Sequence, residues 1–311
     1  MVERAPLWSV LVLPVVLGGF AVAAAMFDAA LAARAEGRRA TAGELGEPVR
    51  AAARLLVTQR RITVAPDAVL WRLGGGTVVV VALLASVVTP LGRWSVSDLG
   101  IGVVWWPALL ALLWVAVWLL GWGPNAAYAL VSGYRFVAQA LAYEMPLAIT
   151  MVTVAVVAGT LRVGGIVAAQ AHLWYGVWMP VALVDYLIGA LALAFWGPLR
   201  APVAADTAGG VQAELAGVDR LVFLVGRYLV LAAAAAFAVP LFLGGGAGPL
   251  LPDWAWTVLK TLLVLGVLVW ARWRLPLVRM DRFEEWSWVV LLPVTLAQLF
   301  VVCVVVLVAS T

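Results

Sequence analysis

The sequence predicts an all-α polytopic integral membrane protein, with eight transmembrane helices and an amphipathic interfacial helix in the first cytoplasmic loop. Three observations lead there. Of the 311 residues 65% are apolar and only 12% charged, against about 25% charged in a soluble domain. The apolar residues gather in eight long blocks, each near the roughly 20 residues that cross a hydrocarbon core about 30 Å thick. Sixteen of the 20 Lys and Arg residues lie in four alternate connections between those blocks. Backbone groups in lipid must be satisfied within the segment, so the spans are expected as helices. Blocks such as Val78–Val88 and Val301–Val308 lack the alternation of a barrel strand.

The whole chain, 1–311, reads as a single membrane domain. Its first span, 7–33, is long and has no basic leader of several residues, so it is expected as a transmembrane helix and not as a cleaved signal. The first connection, 34–72, carries Arg34, Arg38, Arg39, Arg50, Arg54, Arg60, Arg61 and Arg72. Within its segment 44–61, Leu45, Val49, Ala52 and Leu56 share one helical face. Arg50, Arg54 and Arg61 share another, and Pro48 sits near the start, where a helix tolerates it. That pattern suits a helix lying in the cytoplasmic interface. A basic loop held by anionic membrane lipid is the other reading.

Spans two and three, 73–92 and 101–122, flank a connection with Arg93 and Asp98. The turn Gly-Trp-Gly-Pro-Asn at 121–125 leads to span four, 134–160, with Arg135 at its start. Arg162 and the only histidine, His172, precede span five, 177–197. Arg200, Arg220 and Arg227 surround the start of span six, 218–243. The Gly244–Gly246 run and Asp253 precede span seven, 254–272. Arg272, Arg274, Arg279 and Arg282 then precede span eight, 286–309. The positive-inside rule puts the odd connections in the cytoplasm and both termini on the outer side of a prokaryotic cell membrane. Many of the 17 tryptophans, Trp94, Trp122, Trp254 and Trp286 among them, sit near span ends as an aromatic belt.

Several chemistries are excluded. One histidine and one cysteine, Cys303, cannot assemble a zinc or haem site from this chain, and no metal ligand set is expected. The glycine runs lack the Gly-Lys-Ser/Thr ending of a phosphate loop. The arginines follow membrane topology and do not form a nucleic-acid surface. The chain is therefore expected to bind no cofactor itself, and any redox centre must come from a partner or a diffusible substrate.

Ionisable groups within spans are costly and mark functional candidates. Four carboxylates qualify. Glu144 lies in span four, two residues before Pro146, and Asp185 lies in span five. Asp28 lies near the cytoplasmic end of span one, and Asp67 precedes span two. Each suits a proton path. The alternatives are a structural hydrogen bond for Glu144 and Asp185, and a solvated interfacial carboxylate for Asp28 and Asp67.

Span four is more specific. Asn125-Ala-Ala-Tyr128-Ala-Leu, then Tyr134-Arg135, Gln139 and Tyr143-Glu144, resembles the signature of the membrane protein of respiratory complex I known as its H subunit or subunit 1. That family reads Asn-Ser-Lys-Tyr-Ala-Leu, then Arg-x-x-x-Gln and Ser-Tyr-Glu. Glu47-Pro48, Arg54-Leu55-Leu56, Pro66-Asp67, Arg200-Ala201-Pro202, Leu241–Gly245, Arg274-Leu275-Pro276, Arg279-Met-Asp281 and Leu291-Leu292-Pro293 resemble further family segments in order.

The resemblance implies a membrane subunit of a proton-translocating NADH-quinone oxidoreductase. Such a subunit walls a quinone chamber, begins a proton path and docks hydrophilic iron–sulfur subunits on the cytoplasmic side. Antiporter-like and small membrane subunits complete a hetero-oligomer, with quinone as substrate and the iron–sulfur clusters in the partners. By position, Glu144 is a proton-path carboxylate with Arg135 and Gln139 as its polar neighbours, and Asp28 stands where the family has Glu; Asp185 and Asp67 remain proton-path candidates from the residues alone. Arg38, Arg54, Arg135, Gln139, Tyr143 and Arg200 line the quinone chamber or the docking face. The chain departs from the family pattern at Ala40-Thr41-Ala42, at Ala51, at Gly197 and at Arg227, the last three where the family carries a carboxylate. Two other functions remain open: the anchor of an energy-converting hydrogenase-like complex, and a diverged scaffold without redox partners.

Overall fold

A computed structural model describes residues 2–6, 8–39 and 41–310. Leu7, the expected start of span one, and Ala40, in the Ala40-Thr41-Ala42 departure, lie outside the described residues. The fold is an all-α polytopic membrane bundle. Seven of its described helical stretches are long and apolar enough to cross a membrane.

The chain opens with a two-residue strand, β1 (Glu3–Arg4), followed by helix α1 (Ser9–Ala35). Two short helices, α2 (Ala42–Leu45) and α3 (Glu47–Val57), run across the end of the bundle. Helix α4 (Ala68–Ser86) starts at Asp67, whose Oδ1 accepts from Leu70 N at 3.1 Å and so caps an otherwise orphaned donor. Strand β2 (Trp94–Ser95) pairs in parallel with β1, Glu3 opposite Trp94 and Arg4 opposite Ser95. Helices α5 (Gly102–Leu110) and α6 (Leu112–Trp122) together form one span. Helix α7 (Ala127–Ala158) is the longest and stops at Gly159, whose φ of +62° is the left-handed cap that glycine adopts without a Cβ penalty.

Short helices α8 (Val163–Ala169) and α9 (Tyr175–Trp178) lead to α10 (Pro180–Leu193). Here the structure differs from the expected span 177–197. Pro180 has no N–H and disfavours helix at Met179, which breaks α9 from α10. Gly197 and Pro198 then turn the chain into a 3-10 segment. The 14 residues of α10 reach only about 21 Å. Helices α11 (Gly217–Phe242) and α12 (Asp253–Arg274) follow. The last span is α13 (Met280–Trp286), a π turn (Ser287–Leu291) and α14 (Leu292–Ser310). Pro293 cannot donate to the carbonyl four residues back, and the wider turn sits just before it.

Helix α11 is the centre of the bundle, enclosed by α1, α4, α10 and α12. Five consecutive alanines, Ala232–Ala236, are buried in it, and small side chains let neighbouring helices approach closely where lipid supplies no hydrophobic drive. Trp106 stacks on Phe237 at 4.6 Å, and Tyr186 donates its hydroxyl to Ala234 O at 2.7 Å. At the α6–α7 crossing a Cβ on Gly121 would stand 2.7 Å from Ala129 O, so glycine is required there.

Candidate functional site

The site begins with small residues. Gly18, Ala21, Ala25 and Ala29 recur every three or four positions and so share one face of α1. Ala51 and Ala52 of α3 and Leu224 of α11 face the same gap, which is a cavity of about 560 Å³. Its walls are apolar apart from Asp28, Glu47 and Tyr228. Glu47 is half-buried and paired with Arg50 and Arg54, each at 3.0 Å. Asp28 is only 8% exposed, so the cavity has one buried polar end.

Three donors converge on Asp28 there. Arg272 Nη1 donates to Oδ2 at 2.7 Å, Tyr228 Oη to Oδ2 at 3.2 Å and Trp273 Nε1 to Oδ1 at 2.9 Å. The cluster thus joins α1, α11 and the C-terminal end of α12. Arg227, the next residue to Tyr228, points the other way. Its Nε donates to Ala194 O at 3.1 Å, and its Nη2 donates to Phe195 O. The guanidinium groups of Arg227 and Arg272 lie 4.8 and 5.0 Å from the Trp196 ring, so one indole serves two cations. Arg200, outside the spans, lies beside them. Burial, with the Arg272 charge adding to it, draws its pKa below the usual arginine value.

The other expected residues are more scattered. Glu144 is half-buried on α7 and makes no hydrogen bond or ion pair among the described residues. Tyr143 beside it is packed in the core. Asp185 is buried and accepts from Thr150 Oγ1 at 2.7 Å. Arg135 and Gln139 were expected beside Glu144, but their polar ends turn elsewhere. Arg135 pairs with Asp206 at 2.6 Å, and Gln139 Nε2 donates to Ala192 O and Leu199 O, each at 3.1 Å. Both therefore brace the 192–212 segment against α7. Asp67 caps α4. Arg38 pairs with Glu36 and Glu44, and Arg54 with Glu47, in the first connection, where the arginines are exposed and Glu44 and Glu47 are half-buried.

At the opposite end of α11, Lys260 is buried without a carboxylate partner among the described residues. Its Nζ donates to Leu243 O, Gly245 O and Ala247 O at 2.6, 2.9 and 2.8 Å, and it lies 4.3 Å from the centre of the Trp174 ring. Sequence reasoning missed Tyr228, Arg272, Trp273 and Lys260 as structural partners. A signal existed for Lys260, the only lysine of the chain and one placed inside a span.

The family described as NADH dehydrogenase matches residues 8–303, nearly the whole chain. The chain belongs to that family. The resemblance carried by span four and the ordered segments around it is thereby borne out. Among similar NADH dehydrogenase relatives, the second of the numbered NADH-quinone oxidoreductase H subunits of Geobacter sulfurreducens is 35% identical over 69% of this chain and 66% of its own length. The H subunit of the same enzyme from Carboxydothermus hydrogenoformans is 31% identical over 71% of this chain and 65% of its own. The H subunit numbered 2 in Cereibacter sphaeroides is 37% identical over 67% of this chain and 66% of its own. The chain therefore spans just under two thirds of the length of the curated relatives it matches.

Proposed function

We propose that this chain is the membrane subunit of a proton-translocating NADH-quinone oxidoreductase, a subunit without a catalytic centre of its own. One observation carries the reading: the apolar cavity between α1, α3 and α11 ends on the buried Asp28 and its half-buried partners Tyr228 and Arg272. A quinone needs an apolar slot with a few placed polar groups. The names of the relatives, all H subunits of NADH-quinone oxidoreductase, support it.

Quinone enters this slot from the membrane with its head toward Tyr228. Helix α3 lies in the cytoplasmic interface and forms the lip. Hydrophilic subunits carrying iron–sulfur clusters dock on the basic connections, where Arg38, Arg54 and Arg200 stand. Antiporter-like and small membrane subunits adjoin the bundle. Helices α9 and α10 with the following turn serve as a bent fifth span of eight, and both termini face the outside of a bacterial cell membrane. Glu144, Asp185 and Asp28 hold and pass protons. Glu144, without a hydrogen-bond partner among the described residues, is the one best placed to exchange with a neighbouring subunit.

The test is quinone reduction by the purified complex. Ala52→Trp fills the cavity from α3 and is expected to lower inhibitor-sensitive quinone reduction about tenfold, a loss of roughly 1.4 kcal/mol in transition-state stabilisation, with the hydrophilic subunits still bound. Unchanged reduction by that variant overturns the cavity as the quinone site. Glu144→Gln is expected to remove proton movement, read with a pH-sensitive dye in proteoliposomes. A second reading, the anchor of a hydrogenase-like complex without quinone, is favoured by the single carboxylate, Asp28, among Arg200, Arg227 and Arg272. Hydrogen evolution by the complex without added quinone decides for it.

A further inference from the structure

A second cavity, of about 590 Å³, lies between α10, the 3-10 turn Gly197–Leu199 and the last span. Ile188 and Leu191 form one wall, and Val289 and Val290 the other. Its charged lining residues are Arg282 and Glu285, 3.7 Å apart, with side chains 76% and 68% exposed. The eight steps from Arg282 to Val290 rise about 12 Å. That is close to the ~15 Å depth of one leaflet, half of a ~30 Å core. The cavity therefore has a charged mouth at the level of the basic loops and an apolar body one leaflet deep.

The π turn shapes this body. Ser287 donates its hydroxyl to Ala142 O and ties one side of the last span to α7. The widened turn leaves Val289 and Val290, adjacent in the chain, both against the cavity. Such turns are rare and recur at functional sites. The last span is also the least buried of the seven, so no other helix of this chain shields it from lipid.

We propose that this cavity binds a zwitterionic phospholipid with a primary ammonium head group, of the phosphatidylethanolamine type. One acyl chain fills the body. Arg282 meets the phosphate, which a guanidinium grips with paired donors. Glu285 accepts from the ammonium N–H. The exposed Arg282–Glu285 pair is worth little by itself and opens at small cost. A quinone does not fit this site, because its head group needs a buried polar end, whereas here both charges sit in the open mouth. The proposal stands apart from the quinone reading and from the cavity at Asp28.

The experiment is native mass spectrometry of the full-length protein, purified in mild detergent and offered equal amounts of phosphatidylethanolamine, phosphatidylcholine and phosphatidylglycerol of one acyl composition. About fivefold preferential retention of phosphatidylethanolamine is expected. Glu285→Gln should abolish its preference over phosphatidylcholine, and Arg282→Gln should weaken retention of all three. Val289→Trp, which fills the body and faces lipid, should remove the tightly held copy while the thermal melt is unchanged. Equal retention of the three lipids, preference for phosphatidylglycerol, or retention insensitive to Val289→Trp overturns the proposal. So does release of lipid on adding a partner subunit whose helix occupies the groove.

Discussion

At the scale of single residues, buried cations and their acceptors dominate this protein. Lys260 satisfies three carbonyls where α11 ends and the Gly244–Gly246 loop begins. Lys260→Met keeps most of the side-chain volume and leaves those carbonyls without a donor. A loss of about 2–4 kcal/mol is expected, read as a lower midpoint in detergent-mediated thermal unfolding, with Lys260→Arg recovering part of it. A midpoint equal to wild type removes the cap from the account. Asp28 works in the reverse sense. Asp28→Ala strands the Arg272 guanidinium, whose side chain is 28% exposed, so the cost falls below the ~3–5 kcal/mol of breaking a fully buried pair. The double variant Asp28→Ala/Arg272→Met should be more stable than Asp28→Ala alone, because the uncompensated charge is gone. These partners were not legible in the chain. Asp28 and Arg272 are 244 positions apart, and no local pattern pairs them. Arg227 could be read as a basic residue near a connection and as a departure from a family carboxylate, but not as what it is, a donor to the carbonyls that end α10.

At the scale of elements, hydropathy made the long helices legible, because lipid forces every apolar block of sufficient length to satisfy its own backbone. The breaks were harder. Pro180 divides α9 from α10, and Pro293 widens the turn before α14, yet Pro146 leaves α7 continuous. Whether a proline cuts, widens or merely marks a helix depends on what neighbouring helices offer the freed carbonyl, and that is tertiary information. The α6–α7 crossing gives a direct test. Gly121→Val places a branched side chain against the Ala129 carbonyl and the Gly133 backbone. Overpacking of this kind costs about 1–3 kcal/mol. A lowered melting midpoint and a smaller monodisperse fraction by size exclusion are expected, whereas the same change at Gly76, where a Cβ meets nothing within 4 Å, should be neutral.

At the scale of the whole molecule, the arginine distribution sets an orientation that labelling can check. Glu36→Cys, in the first connection, should react with a membrane-impermeant maleimide only after the membrane is opened. Leu250→Cys, fully exposed in the loop before α12, should react in intact cells. The opposite pattern reverses the proposed sidedness. Family motifs in span four and the basic loops made the membership legible, while the cavity at Asp28 did not show in the sequence. Its walls are small residues of α1 and α3 and leucines and a valine of α11, which read as ordinary apolar helix until the three faces are brought together.

The β1–β2 ribbon ties the amino-terminal residues to a segment about ninety positions later. Ribosomes add roughly 5–20 residues each second, so this clasp cannot close until several seconds after Arg4 is made. Until then the leading end of the first helix is unfastened. A nascent chain arrested before Ser95 emerges should therefore leave that end open to protease, and one arrested well beyond it should not.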